Sequence, residues 1–174
     1  TVRPGADLRS HLERPLESIV YPDSNRADAG LIHKTEFAQP ALFAVGWSLA
    51  QRWMAWGIRP EAVGGHSIGE YVAATLAGVV SLEDALRLVA IRGCLMARAA
   101  EAGGPTAMAA VLANEERVEA LRTDFPSVEL AAINGSAQIV VGGPTTDLAS
   151  FERRLEQEGI RFRRLKTSAA FHSQ

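Results

Sequence analysis

The stretch "VGGHSIGEYVAA", Val63 to Ala74, places one serine between two glycines at the end of an apolar run. Its centre, "GHSIG", fits the pattern G-x-S-x-G, in which the serine occupies a sharp turn between a strand and a helix. The glycines permit that turn, and the helix after it directs free N–H groups toward the serine. The pattern predicts Ser67 as a nucleophile and the Ile68 N–H as a donor to an oxyanion. The alternative is an incidental serine in a glycine-rich turn, because a five-residue motif recurs by chance.

The segments around this turn predict alternating strands and helices. Apolar spacing predicts a helix over 35–57, a second over 68–79 and a third that begins at a Ser81–Asp84 capping box. The segment "PEAVGGHS" predicts a short buried strand, and residues 1–34 predict short helical turns and loop. In the first helix the apolar residues at helical spacing are Phe43, Trp47, Leu49, Ala50, Trp53 and Met54, and we expect core contacts from the aromatic ones.

Past Pro105 the pattern changes to the order βαββαβ over about 106–167, which is typical of a ferredoxin-like unit. Asn114 is the predicted cap of its first helix, and residues 160–168 are its predicted last strand. The sequence therefore predicts an α/β fold: a larger α/β-hydrolase-like body with a parallel sheet, and an inserted ferredoxin-like α+β subdomain. The predicted boundaries are 1–104 for the larger body, 105–167 for the small subdomain and 168–174 for a return segment.

The composition limits the function classes. The 174 residues are 47% hydrophobic and 22% charged, as in soluble globular proteins, and carry a net charge of −2, which argues against nucleic acid as a partner. The start of the chain does not resemble a signal peptide, and no apolar run is long enough for a membrane span. Cys94 is the single cysteine, so we expect no disulfide framework, no thiolate metal site and a cytoplasmic location.

A serine nucleophile needs a base, and the chain offers four histidines. His66 is adjacent to Ser67, and neighbouring side chains in a turn usually diverge. His11 and His33 lie in the irregular N-terminal part. His172 follows a strand and a stretch of small residues, so spacing favours it only as the best of four weak candidates.

Several stretches, in order, resemble one family. The region 39–96, which includes "QPALF", "GHSIG" and "AIRGCLM", is similar to the acyltransferase domains of modular polyketide synthases. Those domains are relatives of the malonyl-CoA:acyl-carrier-protein transacylases of fatty acid synthesis. The resemblance continues through "AMAAV", "AAINGSAQIVVGG" and "TSAAFHS", and it covers the chain from about Thr35 onward.

The resemblance implies roles for individual residues. It implies that Ser67 is acylated, that His172 is the general base and that Arg92 pairs with the free carboxylate of a malonyl group. A guanidinium suits that task because its planar fork holds a carboxylate through two parallel hydrogen bonds. It also implies that Gln39 belongs to the pocket and that Asn134 lines a cleft between the subdomains. Without the resemblance, Arg92 would be interpreted as a surface arginine and Gln39 as an ordinary residue near a helix start.

The activity implied is transfer of malonyl, or a related extender group, from CoA to the phosphopantetheine thiol of an acyl carrier protein in polyketide biosynthesis. Neighbouring polyketide synthase domains are the further implied partners, and no metal or bound cofactor is implied. Two alternatives stay open: a serine esterase of the α/β-hydrolase type and a non-catalytic structural piece of a synthase.

Two further expectations come from comparison with the family pattern. The family's malonyl-selective members read His-Ala-Phe-His at the base, whereas this chain reads Ala-Ala-Phe-His over 169–172. The shared Phe171, together with Ile68, favours malonyl over methylmalonyl as the acyl group. The family's first strand, with its Gly-Gln-Gly turn, is absent before Thr1, and the chain stops soon after the base. We therefore expect these 174 residues to be unstable or inactive when expressed alone.

Positive charge collects near the end of the predicted small subdomain. A solvated face balanced by nearby glutamates is one interpretation, and a docking surface for an acidic carrier protein is the other. The residues concerned are Arg153, Arg154, Arg161, Arg163, Arg164 and Lys166.

Overall fold

A computed structural model describes residues 12, 14–21, 30–167 and 169–172. The chain divides into two compact units, Thr1–Arg98 and Ala99–Gln174. The described helices that begin in the first unit are α1 (Leu16–Val20), α2 (Thr35–Ala55), α3 (Ile68–Leu76) and α4 (Leu82–Gly103). The last turn of α4 crosses into the second unit. A 3-10 turn at Leu31–His33 precedes α2.

Glycines and a cap fix the helix boundaries that the sequence predicted. Gly57 follows α2 at φ +89, a left-handed conformation that glycine adopts without steric cost. At the start of α4, the Asp84 N–H donates to Ser81 Oγ at 3.0 Å, and that hydroxyl donates to Asp84 Oδ2 at 2.7 Å. The predicted capping box is therefore confirmed.

The core of the first unit joins α1, α2 and α4. Ile19, Phe43, Leu86 and Val89 are fully or almost fully buried in one apolar cluster. The helices α2 and α4 come close at Gly93, where an added Cβ would lie 3.0 Å from the Glu36 Cα. Arg92, which precedes Gly93 on α4, therefore lies beside the first turns of α2.

Two expectations for this unit are wrong. Residues 60–67 form no strand, and Val63 is exposed, because no strand exists among the described residues of this unit to supply the hydrogen bonds that a strand needs. Among the aromatic positions of α2, Phe43 is buried, but Trp53 is 53% exposed. Helical spacing located the helix correctly, but it could not show which turns are covered.

The second unit contains β1 (Thr106–Val111), α5 (Glu115–Arg122), β2 (Glu129–Gly135), β3 (Gln138–Pro144), α6 (Thr145–Gln157) and β4 (Phe162–Arg164). The predicted βαββαβ order is confirmed, although β4 is shorter than the predicted segment over 160–168. The strands form an antiparallel sheet in the order β2-β3-β1-β4. Asn114 caps α5, as predicted, by accepting the Arg117 N–H at 3.0 Å.

Alternate residues of β1 face opposite sides of this sheet. Ala109 and Val111 pack with Phe151 and Leu155 of α6 in the larger core of the unit. Met108 and Ala110 face the other side, where a smaller cluster includes the partly buried Phe171. The segment after β4 therefore returns across the face that α5 and α6 leave uncovered.

None of the described helices is long and apolar enough to span a membrane.

Candidate active site

Ser67 occupies the turn that the sequence predicted. Its backbone has φ +52 and ψ −115, directly before the first residue of α3. A positive φ is uncommon for a residue with a side chain, and such strain collects at functional sites. The Gly69 N–H donates to the His66 carbonyl at 3.0 Å, and the Glu70 N–H donates to the Ser67 carbonyl at 3.1 Å. These bonds hold the serine at the N-terminus of the helix.

Gly65 makes this turn possible. A Cβ at that position would lie 2.0 Å from the Gly69 carbonyl carbon and 2.2 Å from the Glu70 nitrogen. The Gly65 N–H also donates to Glu70 Oε1 at 3.2 Å, so the carboxylate ties the start of the turn to the helix. The first glycine of the motif is thus required by contact between two backbone segments.

The Ile68 N–H is the first amide of α3 and has no hydrogen-bond acceptor within the part of the chain that the structure describes. Amides in the first turn of a helix lack intrahelical acceptors, and the helix dipole favours negative charge there. This amide can therefore donate to an anionic oxygen formed next to Ser67.

Arg92 is held from two sides. One of its terminal nitrogens donates to Gln39 Oε1, and its guanidinium carbon lies 5.9 Å from the centre of the Tyr71 ring. Gln39 is buried; its amide nitrogen donates to Thr35 Oγ1 at 2.7 Å and to Met96 Sδ at 3.3 Å. These contacts leave the carbonyl end of Gln39 directed at the arginine.

Arg92 contacts a residue of the helix that Ser67 precedes. Tyr71 is four residues, about one turn or 6 Å, beyond Ser67 on the same helix. Arg92 is only partly buried, and no carboxylate lies within ion-pair distance of it in the described ranges. A guanidinium held by Gln39 and the Tyr71 ring, with no carboxylate beside it in these ranges, can receive an anionic group.

His172 belongs to the second unit. It is exposed, and its backbone φ of +62 lies in the left-handed region. The preceding Phe171 is partly buried against Met108, Ala110 and Val140 on the open face of the sheet. The structure thus describes the backbone conformation of His172 and the packing of Phe171 before it.

The remaining candidate residues are Asn134 and the other three histidines. Asn134 is exposed near the end of β2. His33 and His66 are exposed in the first unit, and His11 lies outside the described residues. The roles of Asn134 and of the histidines stay predictions.

An apolar groove of about 630 Å³ lies beside the serine turn, between α2 and α3. Leu42, Val63, His66 and Val72 are among the residues that line it, whereas Ser67 and Arg92 are not. Within the described ranges, no group of three or more His, Cys, Asp or Glu side chains could hold a metal ion.

Sequence reasoning missed Tyr71, Glu70 and Thr35. The spacing of Tyr71, one helical turn after Ser67, was a usable signal, because residues at i and i+4 share a helix face. The contacts of Glu70 and Thr35 had no comparable signal, since each depends on the geometry of a turn or on the orientation of one amide.

Comparison with known proteins identifies the family of the chain. The family model described as the acyl transferase domain matches residues 16–174. The chain is 47% identical over 167 residues, or 96% of its length, to mycoketide-CoA synthase of Mycobacterium tuberculosis. This chain spans 4% of the length of that synthase.

Solved structures give the same result. The acyltransferase domain from module 8 of the salinomycin polyketide synthase superposes with a TM-score of 0.89 at 30% identity, over 98% of this chain and 39% of the other. The malonyl CoA-acyl carrier protein transacylase of Burkholderia pseudomallei superposes with a TM-score of 0.84 at 30% identity, over 98% and 57%. The fold is thus the mixed α/β fold, with an antiparallel sheet, of acyltransferase domains. The chain belongs to the acyl transferase domain family.

Proposed function

We propose that this chain forms part of an acyltransferase that loads malonyl from CoA onto Ser67 and passes it to the phosphopantetheine thiol of an acyl carrier protein. The observation that carries the proposal is the strained Ser67 directly before α3, a helix whose Tyr71 ring contacts the Arg92 guanidinium. The relatives support it, because they are a polyketide synthase domain and a malonyl transacylase by name.

In the first step, His172 removes the proton from Ser67 Oγ as that oxygen attacks the thioester carbonyl carbon. The Ile68 N–H and the dipole of α3 stabilise the oxyanion. When the carbon–sulfur bond breaks, the proton passes from His172 to the sulfur of CoA. An ester of malonate on Ser67 remains.

In the second step the carrier protein's thiol is the nucleophile, and Ser67 Oγ is the leaving group. His172 removes the proton from the carrier protein's thiol, and the sulfur attacks the ester carbon. The carbon–oxygen bond then breaks, and His172 returns a proton to Ser67 Oγ. No metal or bound cofactor takes part in either step; the acyl-CoA is the substrate.

Arg92 supplies selectivity for a diacid. Gln39 and the Tyr71 ring hold the guanidinium, so binding of a carboxylate requires little reorganisation. An acetyl group lacks the carboxylate and leaves the guanidinium without its partner, which an enclosed site penalises. This selection separates the proposal from a general esterase.

We also propose for the two units the architecture inferred from the sequence. We assign the βαββαβ unit to a ferredoxin-like subdomain; its strand order β2-β3-β1-β4 supports the assignment. We assign the helices around Ser67 to a larger α/β-hydrolase-like body; the positive φ of Ser67 before α3 supports it.

We extend the proposal to malonyl over methylmalonyl. The sequence supports this extension, because Phe171 precedes the base as in the family's malonyl-selective members and Ile68 follows the nucleophile. Comparison of acyl-serine formation with the two CoA esters tests this, and a preference for methylmalonyl-CoA contradicts it.

We also propose that the acidic carrier protein docks near β4. Arg154 and Arg164 form ion pairs with Glu158 and Glu152, so they contribute little free positive charge. Three other cations are exposed, and within the described part of the chain none of them has a carboxylate within ion-pair distance. They are Arg161, Arg163 and Lys166. Arg163→Glu should slow transfer to carrier protein at low salt, and unchanged transfer contradicts this docking surface.

Replacement of Arg92 tests the proposed function. We expect Arg92→Ala to lower kcat/KM for malonyl-CoA by about 10- to 150-fold, from roughly 1.5–3 kcal/mol for hydrogen bonds to a charged group. The rate with acetyl-CoA should not fall. Arg98→Ala is the matched control, because Arg98 is exposed on the same helix.

Three results would count against the proposal. An equal loss with both CoA esters would remove Arg92 from carboxylate recognition. Rapid release of free malonate in place of transfer would favour an esterase. Unmodified protein after incubation with malonyl-CoA would favour a non-catalytic role.

A further inference from the structure

We propose that Thr106, Met108 and Gly142 are positioning residues for His172, because they hold the segment Ala169–Phe171 flat against the open face of the sheet. The inference rests on the proposed role of His172 as the base. It concerns contacts within the second unit, where all of these residues lie.

Two consecutive amides of the segment donate to side chains of β1. The Ala170 N–H donates to Thr106 Oγ1 at 2.8 Å, and the Phe171 N–H donates to Met108 Sδ at 3.3 Å. Thr106 and Met108 alternate along β1 and therefore share one face of the sheet. The segment is thus attached to that face at the two positions directly before His172.

Side chains of β1 make these bonds, whereas most of its backbone pairs with the neighbouring strands. The strand pairs with β3 along its whole length and with β4 from Ala109 to Val111. Its Met108 carbonyl accepts the Leu165 N–H at 2.8 Å. The segment is bonded to the hydroxyl and the thioether on the face of the strand.

Gly142 sets how closely the segment approaches. It lies opposite Met108 in the β1–β3 register. A Cβ on Gly142 would lie 3.0 Å from the Ala170 Cβ, which is tighter than ordinary van der Waals contact. The small residues at 142 and 170 therefore let the segment rest directly on the sheet.

These anchors determine the backbone that carries the imidazole. His172 follows them immediately and has a left-handed backbone, which persists when the surrounding structure fixes it. Proton transfer depends on that placement, since a shift of about 1 Å at a reacting group can slow a reaction by about 100-fold. Loosening the segment should thus lower kcat and leave KM almost unchanged.

The test uses conservative variants in the full-length protein, with malonyl-CoA as substrate and rates normalised to folded protein by circular dichroism. We expect Thr106→Val, which keeps the shape but removes the hydroxyl, to lower kcat by about 10- to 100-fold. Thr106→Ser, which restores the acceptor, should recover most of that loss. Thr145→Val is the control, because Thr145 donates its hydroxyl to the Pro105 carbonyl rather than to this segment.

A second pair of variants tests the close approach independently. Gly142→Ala should also lower kcat, and Ala170→Gly in the same protein should recover part of the loss by removing the opposing Cβ. A merely structural role for Gly142 would lower the folded fraction without this selective recovery of kcat.

The inference is overturned if Thr106→Val keeps normal kcat, if Thr106→Ser is as slow as Thr106→Val, or if Ala170→Gly gives Gly142→Ala no recovery. Failure of the proposed function is distinguishable, because in that case either the unmutated protein forms no acyl-serine or His172→Ala forms it at the normal rate.

Discussion

Replacement of Gly65 by alanine should disable the serine turn. The added Cβ would lie 2.0 Å from the Gly69 carbonyl carbon, whereas ordinary contacts begin near 3.4 Å, so the start of α3 must move by about 1.4 Å. Because displacement by about 1 Å can slow a reaction about 100-fold, we expect acyl-serine formation to fall by at least that factor.

The same change should lower stability. Overpacking costs typically about 1–3 kcal/mol, and this contact is with backbone, so we expect the upper end of that range. For a domain of about 150–250 residues, a loss of about 3 kcal/mol lowers Tm by about 6–12 °C.

The assay combines a thermal unfolding curve with the rate of Ser67 acylation by malonyl-CoA. Gly64→Ala is the control, because it adds the same methyl one residue earlier, where no atom lies within 4 Å of the new Cβ. Equal behaviour of the two variants, in Tm and in acylation rate, would refute the argument from close backbone contact.

Three further predictions concern single contacts. Gln39→Leu should lower kcat/KM for malonyl-CoA by about 10-fold or more, because it removes a hydrogen bond to the charged Arg92, and an unchanged value contradicts this. Gly93→Leu should raise KM for malonyl-CoA and lower Tm, because a side chain there pushes α4 from the start of α2; steady-state kinetics and an unfolding curve check both. Asn114→Ala should lower the free energy of unfolding by about 1 kcal/mol without changing kcat/KM, and a urea titration that shows no loss of stability removes the capping argument.

Local patterns predicted those features whose causes are local. The caps at Ser81 and Asn114 and the turn at Ser67 each depend on neighbours within a few residues, and the structure has each of them. The alternation of strands and helices after Pro105 likewise follows from periodicity within each short segment.

Features that depend on contacts between residues far apart in the chain could not be predicted from the sequence. The contact between Thr106 and Ala170 joins positions 64 residues apart, and no spacing rule indicates it. Helical spacing showed that Trp53 lies on the apolar side of α2, but its exposure depends on what packs there. The strand expected over 60–67 failed for the same reason, since a strand requires a partner outside its own segment.

The most direct test of the account is to incubate the full-length protein with malonyl-CoA and locate the bound acyl group by peptide mass mapping. The account predicts one malonyl group on the peptide that contains Ser67, and none in the Ser67→Ala variant. A malonyl group on another residue, or equal labelling of both proteins, would contradict it.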